Sequence, residues 1–213
     1  MSARVIPALK LTVPPLLVIS DLSQARRPLV EIAAAVFAGG CRWFSLREKD
    51  LPAAERFALL AELLALGRRY DATVMVHDDL DAAVATGARG VHLPGGSDPK
   101  AARARLPNGL IGVSAHGPAE AAALLSAGAD YVMISPVFLT DSKPGYGPAL
   151  GLDGLAATAA LAKGPVVALA GISPGNARAC LDAGAAGIAV MGEVMRAADP
   201  ETTVRALVAA VAP

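Results

Sequence analysis

Ala127-Gly128-Ala129-Asp130-Tyr131-Val132-Met133-Ile134-Ser135 is the stretch that decides the fold. A helical pattern over residues 118–127 leads into it, and an apolar run over 131–135 closes it. Glycine just past a helix end supplies the left-handed residue that stops the helix. The run that follows is short and apolar, as a strand covered on both faces should be. The same junction, a small residue and glycine ahead of a strand, recurs at Ala38-Gly39-Gly40, Thr86-Gly87-Ala88 and Ala183-Gly184-Ala185. These repeats imply one supersecondary unit used again and again.

Working outward from these junctions, strands are predicted over residues 16–20, 42–46, 73–77, 90–93, 110–114, 131–135, 166–170 and 187–191. Helical patterns fill the intervals at 28–38, 53–70, 79–86, 99–106, 118–127, 153–162, 174–183 and 202–212. Several carry proline at or near the first helical position, where it is tolerated. Asp98 and Ser173, each just before a proline, are predicted N-caps. The strand–helix pairs follow one another with no linker. Residues 1–213 therefore read as an α/β protein, a single (β/α)8 TIM barrel with its active site at the C-terminal ends of the strands. A doubly wound sheet is the structural alternative, but even spacing without a long crossover favours closure.

The composition agrees and excludes other classes. The chain has 213 residues, 54% hydrophobic and 18% charged, with 19 basic and 19 acidic side chains. That length suits one domain, or at most two small ones, with a large core. A balanced charge lacks the basic stripe that nucleic acid requires. No uninterrupted apolar run of about 18 residues suggests a membrane helix. Cys41 and Cys180 make no disulfide framework and read as buried thiols in a reducing cytosol. Arg4 and Lys10 before Leu16-Leu17-Val18-Ile19 faintly mimic a signal peptide, but Pro14-Pro15 interrupts the pattern and no cleavage site follows. The run is read as the first core strand, and the protein as cytoplasmic. Oligomeric state stays open, and a homo-oligomer is compatible with the sequence.

In a barrel of this kind the chemistry belongs where strands end. Arg47 and Lys49 alternate after the second strand, so both face the mouth, and two cations there suit a phosphate or pyrophosphate. The alternative is a surface charge cluster with Glu48. Asp78, Asp79 and Asp81 open a helix, where carboxylates serve as caps. Asp78, nearest the strand end, is read as a Mg²⁺ ligand, since that cation takes carboxylates together with phosphate oxygens. His77, His92 and His116 all lie at or near strand ends; a zinc site is the lesser reading beside a Mg²⁺–pyrophosphate site. The loop after the sixth strand is the longest and carries Thr140, Ser142 and Lys143. With Gly171 and Met191-Gly192 it suggests a second anionic pocket, lined partly by backbone N–H groups.

Taken together, Ser45-Leu46-Arg47-Glu48-Lys49, Val91-His92-Leu93, Gly112-Val113-Ser114-Ala115-His116, Gly128-Ala129-Asp130-Tyr131, residues 135–143 and Gly187-Ile188-Ala189-Val190-Met191 resemble the thiamine phosphate synthase family, which includes a thiazole tautomerase branch. The resemblance runs in order through essentially the whole chain. It implies a synthase that joins 4-amino-2-methyl-5-hydroxymethylpyrimidine pyrophosphate to thiazole phosphate with Mg²⁺, releasing pyrophosphate. By it, Arg47 and Lys49 hold the pyrophosphate, Asp78 binds the metal and Ser114 contacts the pyrimidine. Thr140 and Ser142 bind the thiazole phosphate, Lys143 bridges to the leaving pyrophosphate, and Gly171, Met191 and Gly192 cup the thiazole phosphate. The implied mechanism is dissociative and needs no enzyme nucleophile.

Four positions depart from the family pattern. Ser45 stands where glutamine is usual, and His77 where asparagine is usual; both are kept as substrate-binding candidates. The second metal ligand falls on Ser97, with Asp98 one residue later as its candidate replacement. Gly192 stands where serine is usual. The tautomerase branch tolerates such losses, and in it a histidine at the place of His116 resembles the acid–base residue. A non-catalytic thiazole or thiamine phosphate binder is the third reading. Lys143, Asp78 and Lys49 together favour the synthase.

Overall fold

A computed structural model describes residues 11–140 and 147–212. Strands β1 (Leu16–Ile19), β2 (Trp43–Leu46), β3 (Thr73–His77), β4 (Gly90–Leu93), β5 (Leu110–Ala115), β6 (Tyr131–Ile134), β7 (Val166–Leu169) and β8 (Gly187–Val190) pair in parallel in chain order. β8 returns to β1, with Leu17 opposite Ala189, so the sheet closes. This is the barrel expected from the sequence, and the open doubly wound sheet is excluded.

The helices are α1 (Leu29–Ala38), α2 (Ala53–Arg69), α3 (Leu80–Thr86), α4 (Pro99–Arg105), α5 (Pro118–Ser126), α6 (Gly151–Ala162), α7 (Ala177–Asp182), α8 (Gly192–Met195) and α9 (Pro200–Ala210). α8 was not predicted. It has four residues, too few to show a helical period. Among the described residues no helix is long and apolar enough to cross a membrane.

The junctions behave as their residues require. Gly128 sits at φ +105. Its N–H donates to the Leu125 carbonyl at 3.0 Å, and that of Ala129 to Leu124 at 3.1 Å. Two otherwise orphaned carbonyls of α5 are thereby satisfied. Gly40, Gly87 and Gly184 share the positive φ; in the first junction Gly40, not Gly39, is the left-handed residue. Asp98 caps α4, accepting from Lys100 N at 2.9 Å. Ser173 does not cap α7. That helix starts later, and the Ser173 N–H instead donates to Asn176 Oδ1 at 2.9 Å across a turn.

Side chains pointing out of the barrel form one core with the helices, and those pointing in form a second: Leu17, Ile19, Trp43, Met75, Leu110, Tyr131, Met133, Val167 and Ala189. The large rings of Trp43 and Tyr131 meet edge to face at 5.1 Å. Gly112 lies beside Tyr131 on the neighbouring strand. A Cβ at Gly112 would overlap that ring, so the absence of a side chain is what lets the tyrosine cross the interior. Filling of this kind makes the barrel a packed core and leaves space for ligand above it.

Candidate active site

The C-terminal rim of the barrel encloses a cleft of about 480 Å³. It brings together eleven residues singled out from the sequence: Arg47, Lys49, His77, Asp78, His92, Ser114, His116, Thr140, Gly171, Met191 and Gly192. Ser142 and Lys143 lie outside the described residues.

After β2 the chain is fixed by its neighbour. Arg47 N donates to Ser20 Oγ at 2.8 Å. Glu48 turns inward, buried, and its Oε2 accepts from Leu22 N at 3.0 Å. The alternation of an extended segment thus separates Glu48 from the two cations, which removes the reading of a surface charge cluster. Lys49 Nζ lies 3.3 Å from Asp78 Oδ2, both half exposed. Asp78 has φ +56, and its N–H donates to the His92 carbonyl at 2.8 Å. Asp79 caps α3 and pairs with Arg56, and Asp81 pairs with Arg105 on the surface. Of these three carboxylates, only Asp78 lines the cleft.

Asp98 is placed elsewhere. It lines a shallow depression with Gly96, Ser97 and Glu120, and its carboxylate caps α4. The one-residue offset from the family position is therefore not absorbed by the loop. Asp78 alone remains as a carboxylate after β3 and β4 facing the cleft. One carboxylate with pyrophosphate oxygens is an ordinary donor set for Mg²⁺.

Beneath the rim runs a polar chain. Ser45, buried, places its Oγ 2.7 Å from His77 Nδ1. The His77 and His92 rings are 4.5 Å apart. His92 Nε2 is 2.9 Å from Ser114 Oγ, and its Nδ1 is 3.1 Å from the Tyr131 hydroxyl. These contacts occupy both nitrogens of His92. His116 stands apart at the rim, beside Glu120 at 3.5 Å. Among the described residues no three His, Cys, Asp or Glu side chains gather around a common point, so the zinc reading gains no support.

Burial pushes His92 down to about 3, and burial together with the nearby His92, Arg47 and Lys49 holds His77 well below its ordinary value of 6.5. Both rings are neutral in the folded protein near pH 7. An unfolded histidine takes up its proton near pH 6.5. Below that value the unfolded chain binds more protons, and stability falls, by roughly 1.4 kcal/mol per ring at one pH unit lower. Glu48, raised above its ordinary value chiefly by burial, acts in the opposite sense and offsets part of this. Urea denaturation at pH 7.5 and 5.5 is expected to show a lower midpoint at pH 5.5; an unchanged or higher midpoint contradicts the neutral pair.

The other side of the cleft is formed by the segments that follow β6, β7 and β8. Val137 N and Phe138 N donate to the carbonyls of Leu169 and Ala170 at 2.9 and 3.1 Å, so the loop after β6 lies against the end of β7. A Cβ at Gly171 would meet Leu139 O at 2.5 Å and Phe138 Cβ at 2.6 Å. Gly171 is thus what lets that loop approach and set Thr140 on the rim. Arg196, absent from the sequence reading, also lines the cleft, and Gln24 of the β1–α1 loop lies behind it against Met191; neither lies in a recognisable motif.

A family model described as thiamine monophosphate synthase matches residues 16–194. The chain is 40% identical over 184 residues to the thiamine-phosphate synthase of Moorella thermoacetica, covering 85% of this chain and 87% of that one. It is 39% identical over 198 residues to the thiamine-phosphate synthase of a Roseiflexus species, covering 92% and 84%. Its structure is similar to that of thiamine phosphate pyrophosphorylase from Pyrococcus furiosus, with a TM-score of 0.83 and 36% identity over 92% of this chain and 94% of that one.

Proposed function

This chain belongs to the thiamine monophosphate synthase family, and we propose that it is the mouth cleft of its barrel that joins pyrimidinylmethyl pyrophosphate to thiazole phosphate. The reaction is a transfer that forms a C–N bond and releases pyrophosphate, a step of thiamine biosynthesis. The observation that carries the assignment is the division of one cleft into Arg47, Lys49 and Asp78 after β2 and β3, and Thr140, Gly171 and Gly192 after β6, β7 and β8.

Arg47 and Lys49 hold the pyrophosphate, the guanidinium through paired N–H donors and the ammonium as a point charge. Ser114, oriented by His92, and His77, oriented by Ser45, take the pyrimidine. As pyrophosphate departs, positive charge builds on the methylene carbon and is shared with the aminopyrimidine ring. Neutral His77 and His92 put no opposing cation beneath it. The thiazole nitrogen then attacks that carbon from a position set by Thr140, Ser142 and the backbone near Gly171, Met191 and Gly192. The family resemblance assigns Lys143 to the leaving pyrophosphate. The protein's contribution is positioning and charge stabilisation.

Asp78 would hold Mg²⁺ together with pyrophosphate oxygens; Asp98 is left out of this set. When bound, Mg²⁺ neutralises charge on the departing pyrophosphate. Asp78→Asn is expected to raise the Mg²⁺ concentration for half-maximal rate by at least about tenfold. A Mg²⁺ titration of the initial rate reads this, and an unshifted midpoint removes Asp78 from the metal site. His116 at the rim, beside Glu120, is the acid–base residue of the tautomerase reading, and the synthase reaction needs no step from it. The reaction is assigned to the cytoplasm, where the free thiols of Cys41 and Cys180 stay reduced. The function as a whole is tested by supplying purified protein with both substrates and Mg²⁺. Thiamine phosphate formed only when both are present supports it, and its absence overturns it.

A further inference from the structure

Gly192 has no side chain, and the space beside it is filled from two other places in the chain. A Cβ on Gly192 would overlap the Arg196 guanidinium, lying 2.7 Å from its Cζ, and would meet Gln24 Oε1 at 2.7 Å. Arg196 follows α8, while Gln24 lies in the β1–α1 loop. Arg196 Nη1 donates to Gln24 Oε1. The orientation of that amide is itself set: Gln24 Nε2 donates to Asp21 Oδ2 at 2.6 Å and contacts Met191 Sδ at 3.4 Å. Asp21 is in turn tied to Ser23 by bonds of 2.6 and 3.1 Å. Asp21 thus turns the amide hydrogens away from Arg196 and leaves its oxygen facing the guanidinium. The outcome is a cation held on the cleft wall between Met191–Gly192 and the β1–α1 loop, with Glu193 on the same rim.

A guanidinium stays charged at all working pH values, and its planar fork matches the oxygens of a phosphate. From this geometry we infer that Arg196, aligned by Gln24 and admitted by the bare Gly192, recognises the phosphate monoester of the thiazole substrate. The inference deepens the reading given under Proposed function and rests on it. It makes Arg196 the specificity-determining group for phosphorylated over unphosphorylated thiazole. Arg47 and Lys49 serve the other substrate.

Arg196→Gln removes the charge. In steady state it is expected to raise KM for thiazole phosphate about 10- to 100-fold. KM for the pyrimidine pyrophosphate should stay within about twofold, and the preference for thiazole phosphate over the thiazole alcohol should fall by the same factor as the first KM rises. Arg196→Lys should recover part of the loss. Gly192→Ala, which displaces the guanidinium without removing it, should move the same KM in the same direction. Calorimetric binding of thiazole phosphate alone, without pyrimidine, separates the inference from the proposed reaction. Tight binding by the parent protein that is lost in Arg196→Gln supports the inference even if no thiamine phosphate is made. Equal binding by the two proteins, or an unchanged preference for the phosphorylated thiazole, overturns it.

Discussion

Arg47→Ala is expected to lower kcat/KM for pyrophosphate release by about 100- to 1,000-fold, the loss typical of one preorganised donor aimed at developing charge. Three features make the effect large. The Arg47 backbone is pinned by Ser20 Oγ at 2.8 Å, and the next residue, Glu48, is anchored through Leu22 N at 3.0 Å. The guanidinium therefore needs little rearrangement when the substrate arrives. Lys49 is shared with Asp78 at 3.3 Å and cannot supply both contacts. Arg47 also lines the cleft and not the core, so the variant should unfold at nearly the parent temperature. Arg47→Lys should be intermediate, because it keeps the charge and loses the fork. A kcat/KM within about fivefold of the parent would take Arg47 out of the site.

Gly112→Ala should produce the largest loss of stability. The new Cβ would overlap the Tyr131 ring. That ring packs on Trp43 and touches His92 Nδ1 at 3.1 Å, so it has no easy retreat. Overpacking costs about 1–3 kcal/mol, and more where neighbours are fixed. A loss of about 3 kcal/mol corresponds to roughly 6–12 °C in Tm at this chain length. Combining Gly112→Ala with Tyr131→Leu removes the clash and should recover part of the loss. Tm values of the two single variants, the double variant and the parent form the test. A double variant less stable than the sum of the singles predicts would show that the clash is not the cause.

Much of the architecture could be read from residues because the barrel repeats one unit. Gly40, Gly87, Gly128 and Gly184 mark helix ends by a backbone requirement that few residues meet, and each is followed by an apolar run. α8 escaped because four residues show no period. In the candidate site, residues at or next to strand ends were brought to the cleft: His77 and Ser114 lie near the ends of β3 and β5, and Arg47 and Asp78 directly follow β2 and β3. Asp98 was not, because it is separated from β4 by a turn, where spacing says nothing of direction. Its position before Pro99 favoured a cap, and the cap prevailed. The alternation of Arg47 and Lys49 was legible in the extended segment, and it leaves Glu48 buried, which disposes of the alternative of a surface charge cluster. Gln24 and Arg196 lie far apart in the chain, and only the fold brings them to one wall.

If one cleft expels pyrophosphate from one substrate and delivers the fragment to the other, the two products form together. Simultaneous measurement of pyrophosphate and thiamine phosphate, with Mg²⁺ and both substrates, tests it most directly. The two products are expected in equal amounts throughout the time course. Conversion of the thiazole tautomer with no pyrophosphate released would contradict it.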